Sequence, residues 1–225
     1  MEFFNYFFTR YDQIWRLLLE HVEVTGISVV LAVAIGLPLG IIITKNATLA
    51  KIVLYIVGII QTIPSIALFG LLIPVMGIGN KPAIVALVLY GQLPIIRNVY
   101  TGIKNVDPAM LEAARGMGMT GLQILWRVQI PATFSIILGG IRVATVALIG
   151  IATIASFIGA GGLGDMIFRG ISTINFNMVL AGAIPVALLA LATDYGLALL
   201  ERSADPMQKT KKGSALKRAQ DQGGY

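Results

Sequence analysis

Two long uncharged runs constrain this chain more than anything else in it. Val24 to Thr44 carries no charged residue, and neither does Ile52 to Met76. A hydrocarbon core needs roughly 20 apolar residues per helix. Three further stretches read as spans: Ala83 to Ile96, flanked by Lys81 and Arg97; Ala132 to Ile158, which holds Arg142; and Val179 to Leu200, which holds Asp194. Only 12% of the 225 residues are charged, against about 25% in soluble domains. The expected fold is therefore an all-α, polytopic membrane protein with five transmembrane helices in one domain.

Five crossings put the termini on opposite sides. With the N-terminus outside, the inner segments hold Lys45, Lys51, Arg97, Lys104, Arg115, Arg127, Arg202 and the five basic residues of the tail. The outer segments hold Arg10, Arg16, Lys81 and Arg169. That excess of cations inside predicts N-out, C-in in the cytoplasmic membrane. The net charge of +6 then reflects topology, and the distribution offers no nucleic-acid footprint.

Residues 1–20 lack the basic start and small-residue cleavage site of a signal peptide. Phe3, Phe7, Tyr11, Ile14, Trp15 and Leu18 recur at helical spacing. They predict an amphipathic helix lying in the membrane interface. The transmembrane domain is drawn at 21–202, and the basic stretch 203–225 reads as a disordered cytoplasmic tail. The chain has no cysteine and one histidine, which removes thiolate chemistry and leaves little for imidazole ligation. His21 reads as an interfacial polar residue.

The polar stretch 107–131 interrupts the membrane pattern on the cytoplasmic side. Asp107-Pro108 is an N-cap followed by proline at the first helical position. Gly118 supplies a left-handed stop. Thr120 with Gln123 forms a capping box for a second helix through Val128, and Pro131 opens the fourth span. The first helix is expected to present Glu112, Ala113, Ala114 and Arg115 at its surface. Paired alanines permit close approach by another protein, and Glu112 offers an anionic anchor.

Glu112-Ala113-Ala114, then Gly118 after three residues, then nine residues before Val128-x-Ile130-Pro131, resembles the EAA---G---------I-LP signature of ATP-binding-cassette (ABC) importer permeases. Val128 and Ile130 depart mildly from it. "QTIPSIALFGLLIPVMGIGNKPAIVAL", "LPIIRNVYTGI" and "ASFIGAGGLGDMIF" extend the likeness over roughly residues 20–200, on the side of the glycine betaine, carnitine and choline permeases. Methionine permeases share the loop and the GAGGLG element.

The resemblance implies a type I ABC permease fold in which 107–131 is a coupling helix pair seated on a separate ATPase. Glu112, Ala113, Ala114, Arg115 and Gly118 would carry the coupling. It further implies a dimer of ATPase subunits, a second permease chain (identical or homologous) and an extracytoplasmic solute-binding protein. ATP and Mg would sit on the ATPase, with no cofactor on this chain and no catalytic role for it.

Other positions remain. Gln61, Thr62, Pro64 and Ser65 mark a proline kink expected to line a pathway or gate. Intramembrane charges seek partners, so Arg142 and Asp194 are expected to pair or share a hydrogen-bond network. The run Gly159–Gly164 satisfies G-x-G-x-x-G, but it follows a span, without the strand a dinucleotide site requires. It reads as a flexible outer turn, with Gly161, Gly162, Asp165 and Arg169 available to a binding protein. Tyr55, Tyr90 and Tyr100 are too scattered to define an aromatic cage for a quaternary amine, which leaves selection to the binding protein. The rival classes are an ion-coupled secondary transporter, which would depend on Asp194, and a membrane scaffold.

Overall fold

No helix breaker separates Tyr11 from the first apolar run, and the fold follows that continuity. The computed structural model describes residues 2–203; the tail beyond Ser203 lies outside the described residues. A short α1 (Glu2–Thr9) meets α2 (Tyr11–Ile43) at Arg10. The boundary expected at residue 20 thus falls inside α2. Ile14, Leu17, His21 and Val24 form one buried stripe along this helix, at the spacing of a single helical face. Ile14 and Leu17 of the N-terminal segment pack on the chain itself, while Tyr11, Ile14 and Leu18 line a groove with Ile184, Leu188 and Leu189. Trp15 still faces outward.

The second apolar run is not one straight helix. It divides into α3 (Ala47–Thr62) and α4 (Ser65–Met76), bent by 98°. Pro64 disfavours a helical conformation at the residue before it, and Ile63 is extended with ψ 128°. The two ends of the pair nevertheless lie at opposite ends of the bundle. Asn46, whose Oδ1 accepts from Thr48 N–H at 2.9 Å and caps α3, lies next to Lys45 at the end of the bundle shared with Lys104. At the far end of α4, Gly79 N–H donates to the Ile158 carbonyl at 2.9 Å. Four helices are long and apolar enough to cross a membrane, and the bent pair makes five when it is counted as one span.

Helix α5 (Asn80–Lys104) runs well past the 83–96 apolar stretch, because its polar C-terminal turns stay helical. It forms the centre of the fold, packed by α2, α3, α4 and α8. Small residues permit these approaches. A Cβ on Gly36 would lie 2.9 Å from Ile95 Cγ2, and one on Gly91 2.9 Å from Ala32 Cβ. Against α8, a Cβ on Gly140 would lie 2.5 Å from Asn98 Cβ.

The chain then forms α6 (Pro108–Gly116), α7 (Gly121–Ile124), a π turn (Leu125–Gln129) and α8 (Ile130–Ala155). The second helix of the expected pair is not separate: 121–158 is one continuous helix. Pro131 lacks an N–H and would crowd the carbonyl four residues earlier. The π turn, where Ile130 N–H reaches back to Leu125 O, widens the helix at that point and lets it run on. A 3₁₀ turn (Ser156–Ile158), α9 (Gly164–Ser172) and α10 (Phe176–Ser203) complete the described chain.

Candidate coupling loop and membrane pathway

Local hydrogen bonds shape α6. Asp107 Oδ1 accepts from Ala109 N–H at 2.9 Å, with Pro108 at the first helical position. At the other end Gly118 has φ +76°. Its N–H donates to Arg115 O at 2.9 Å, and Met119 N–H donates to Ala114 O at 3.1 Å. These two bonds define a Schellman stop. Thr120 and Gln123 then form the reciprocal capping box, with Thr120 N–H donating to Gln123 Oε1 at 2.8 Å.

Glu112, Ala113 and Arg115 face outward on α6. Ala114 does not: it is 1% exposed and turns inward, a correction to its expected place on the surface. Its small side chain lets α6 sit close to the helix that follows. Two exposed methionines that sequence reasoning missed, Met110 and Met117, add an apolar and pliable rim of the kind suited to protein contact. Their signal was available, since both are apolar residues in a polar loop.

The loop is tied to the spans on both sides. Gln129 Nε2 donates to Ile103 O at 3.4 Å, joining the π turn to the end of α5. A cavity of about 410 Å³ lined by Thr44, Lys45, Lys104 and Gln129 lies beneath. The turn after α6 leads into the continuous helix Gly121–Ile158, which contains α8, and this contact joins that helix to α5.

At the bend in the membrane, Gln61, Thr62 and Pro64 are exposed in the single chain and Ser65 is half-buried. Thr62 Oγ1 donates to Ile59 O at 2.7 Å. The Tyr90 hydroxyl donates to Ile63 O at 2.5 Å.

Arg142 and Asp194 meet across α8 and α10. Nε donates to Oδ1 at 2.6 Å and Nη2 to Oδ2 at 2.9 Å, a bidentate arrangement. Glu201 was missed; its Oε2 accepts from Arg142 Nη1 at 3.1 Å. Its spacing of seven from Asp194 places both carboxylates on one helical face.

The glycine turn after α8 is joined to α2. Gly159, Gly161 and Gly162 have φ of +80°, +69° and +80°. Gly162 N–H donates to Glu20 Oε2 at 3.1 Å, and Gly162 is buried against His21. Gly161 is half-buried. On α9, Arg169 Nη2 pairs with Asp165 Oδ2 at 2.9 Å. His21 itself is not interfacial: it is 2% exposed and its Nε2–H donates to Ile149 O at 3.1 Å.

Residues 36–205 match the model of the binding-protein-dependent transport system inner membrane component. The chain belongs to this family. It is 47% identical to the glycine betaine/carnitine/choline transport system permease protein of Bacillus subtilis (strain 168), over 83% of this chain and 86% of that one. The choline transport system permease protein of the same organism is 45% identical, over 85% and 89%. The osmoprotectant import permease protein of Salmonella typhimurium is 42% identical, over 89% and 96%. Among solved structures, the inward-facing MetNI methionine ABC transporter superposes with a TM-score of 0.77 at 26% identity, covering 85% of this chain and 95% of that chain. This member of the family is thus a multi-pass ABC importer permease subunit of type I fold.

Proposed function

We propose that this permease imports osmoprotectant quaternary amines such as glycine betaine, carnitine or choline. The observation that carries the reading is 47% identity, along most of both chains, to a permease named for those three solutes. The methionine transporter shares the fold at 26% identity and is the weaker guide to substrate. Asp194 is engaged on both oxygens by Arg142, which disfavours its use as a free ion-coupling acid.

Two permease chains, identical or homologous, enclose the pathway, and each docks one subunit of an ATPase dimer through α6. The N-terminus is outside and the C-terminus in the cytoplasm. ATP and Mg are held by the ATPase. When ATP closes the ATPase pair, Glu112 anchors α6, Ala113 allows close contact, and the turn at Gly118 fixes the angle at which motion enters α8. The membrane helices then open outward, where a binding protein delivers solute beside Gly161, Asp165 and Arg169. Gln61, Thr62, Pro64 and Ser65 line the route inward. Hydrolysis returns the inward-open state. The ligand acts by its differential affinity for the two states.

Reconstitution with the neighbouring ATPase and binding protein tests this. Labelled glycine betaine, choline or carnitine should accumulate only with ATP inside, and labelled methionine should not. Accumulation of methionine alone would overturn the solute assignment. Uptake driven by an ion gradient without ATP would overturn the transport class.

A further inference from the structure

The bend between α3 and α4 leaves carbonyls without helical partners, that of Ile63 among them. In an unbroken helix Ile63 O would accept from Ala67 N–H. Here Ala67 N–H and Leu68 N–H both turn to Pro64 O, at 2.9 and 3.0 Å. Ile63 is half-buried, and a carbonyl turned into the protein without a partner is unfavourable. The Tyr90 hydroxyl fills that role from α5, at 2.5 Å across 27 residues of sequence.

Tyr90 is built to hold this position. Its ring is 4% exposed and packs with Leu68, Phe69, Ala86 and Leu87 in one apolar cluster, so its hydroxyl has little freedom. Polar residues flank the captured carbonyl: the exposed Gln61 and Thr62 before it and the half-buried Ser65 after it.

We propose that Tyr90 is a positioning residue for transport: its hydroxyl fixes the α3–α4 break and so sets Gln61, Thr62 and Ser65 against the pathway. This rests on the transport reading above. The bond matters to the gate more than to the fold, because the ring packs equally well without the oxygen. Tyr90→Phe removes only that oxygen and leaves Ile63 O unsatisfied. The break then shifts towards conformations in which Ile63 O finds another donor.

The absence of cysteine makes the test direct. In complexes reconstituted with the ATPase and the binding protein, Ser65→Cys is labelled with a charged maleimide, with and without Tyr90→Phe. The expected result is a changed labelling rate with unchanged amounts of assembled complex. Tyr90→Phe in the otherwise native chain should lower maximal uptake about tenfold, at an unchanged half-saturating concentration of loaded binding protein. Pro64→Ala lifts the restriction on Ile63, which can then turn helical and accept from Ala67 N–H, so in that background Tyr90→Phe should have no further effect on uptake.

Native labelling and native uptake in Tyr90→Phe would overturn the proposal. So would equal losses in both Pro64 backgrounds, or a loss explained by less assembled complex, which would assign Tyr90 to folding. The labelling needs no solute, so its outcome is separate from the solute assignment.

Discussion

Gly118→Val will separate ATP hydrolysis from transport while leaving the spans inserted. Gly118 holds φ +76°, a left-handed conformation that a β-branched residue adopts at a penalty of about 1–2 kcal/mol. A Cβ placed there meets no non-neighbouring atom within 4 Å, so the main cost is the backbone conformation. The damage is confined to the stop itself. The bonds from Gly118 and Met119 back to Arg115 and Ala114 loosen, and the angle between α6 and the helix beginning at Gly121 is no longer fixed.

A coupling element with a slack joint transmits little. Solute uptake should fall on the order of tenfold, and ATP hydrolysis by the assembled complex should persist. Membrane abundance should match the native chain. Gly118→Asn should lose less, because asparagine tolerates the left-handed region. Both are checked by measuring uptake and phosphate release in the same proteoliposomes. Fully coupled uptake in Gly118→Val would count against the loop's role.

The second large effect lies between α8 and α10. Arg142→Ala abandons two carboxylates at once, since Asp194 and Glu201 both bond that guanidinium. Asp194→Ala leaves Arg142 with Glu201. Charges without partners in a membrane interior are disfavoured, so Arg142→Ala should be the more harmful single change, lowering assembled complex on the order of tenfold. The double variant should be far better than the product of the two single losses, as residues sharing one network behave. Quantifying assembled complex for the native chain, both singles and the double completes the cycle. Strict additivity would show that the pair acts as two separate charges.

What the sequence made legible followed from local chemistry. Asp107-Pro108, Gly118 and Thr120 with Gln123 each specify a backbone geometry within a few residues, and each cap is present in the structure. The apolar runs marked the crossings because bilayer thickness acts on composition directly.

Features that depend on three-dimensional packing were hidden. Pro131 opens a span by the usual rule, yet the π turn before it joins that span to the loop helix. The amphipathic pattern of 1–20 fits an interfacial helix and a packed one equally; burial of Ile14 and Leu17 against the bundle is a tertiary fact. Ala114 and Ala113 are identical residues side by side, and only the packed helix shows that one faces inward. Glu201 lay at the end of a span, where an acid is ordinarily solvated. Its bond to Arg142 depends on how α10 crosses α8.

The central claim is that 107–131 lies in the cytoplasm and is gripped by a separate ATPase. Ala113 is exposed on α6, and the native chain has no cysteine, so Ala113→Cys gives a single reporter on the contact face. A membrane-impermeant maleimide should label it in inside-out vesicles and not in intact cells. Co-assembly with the ATPase should protect it, and a short bifunctional reagent should link the two chains through it. Labelling from outside intact cells, or labelling in inside-out vesicles that is indifferent to the ATPase, would contradict the account.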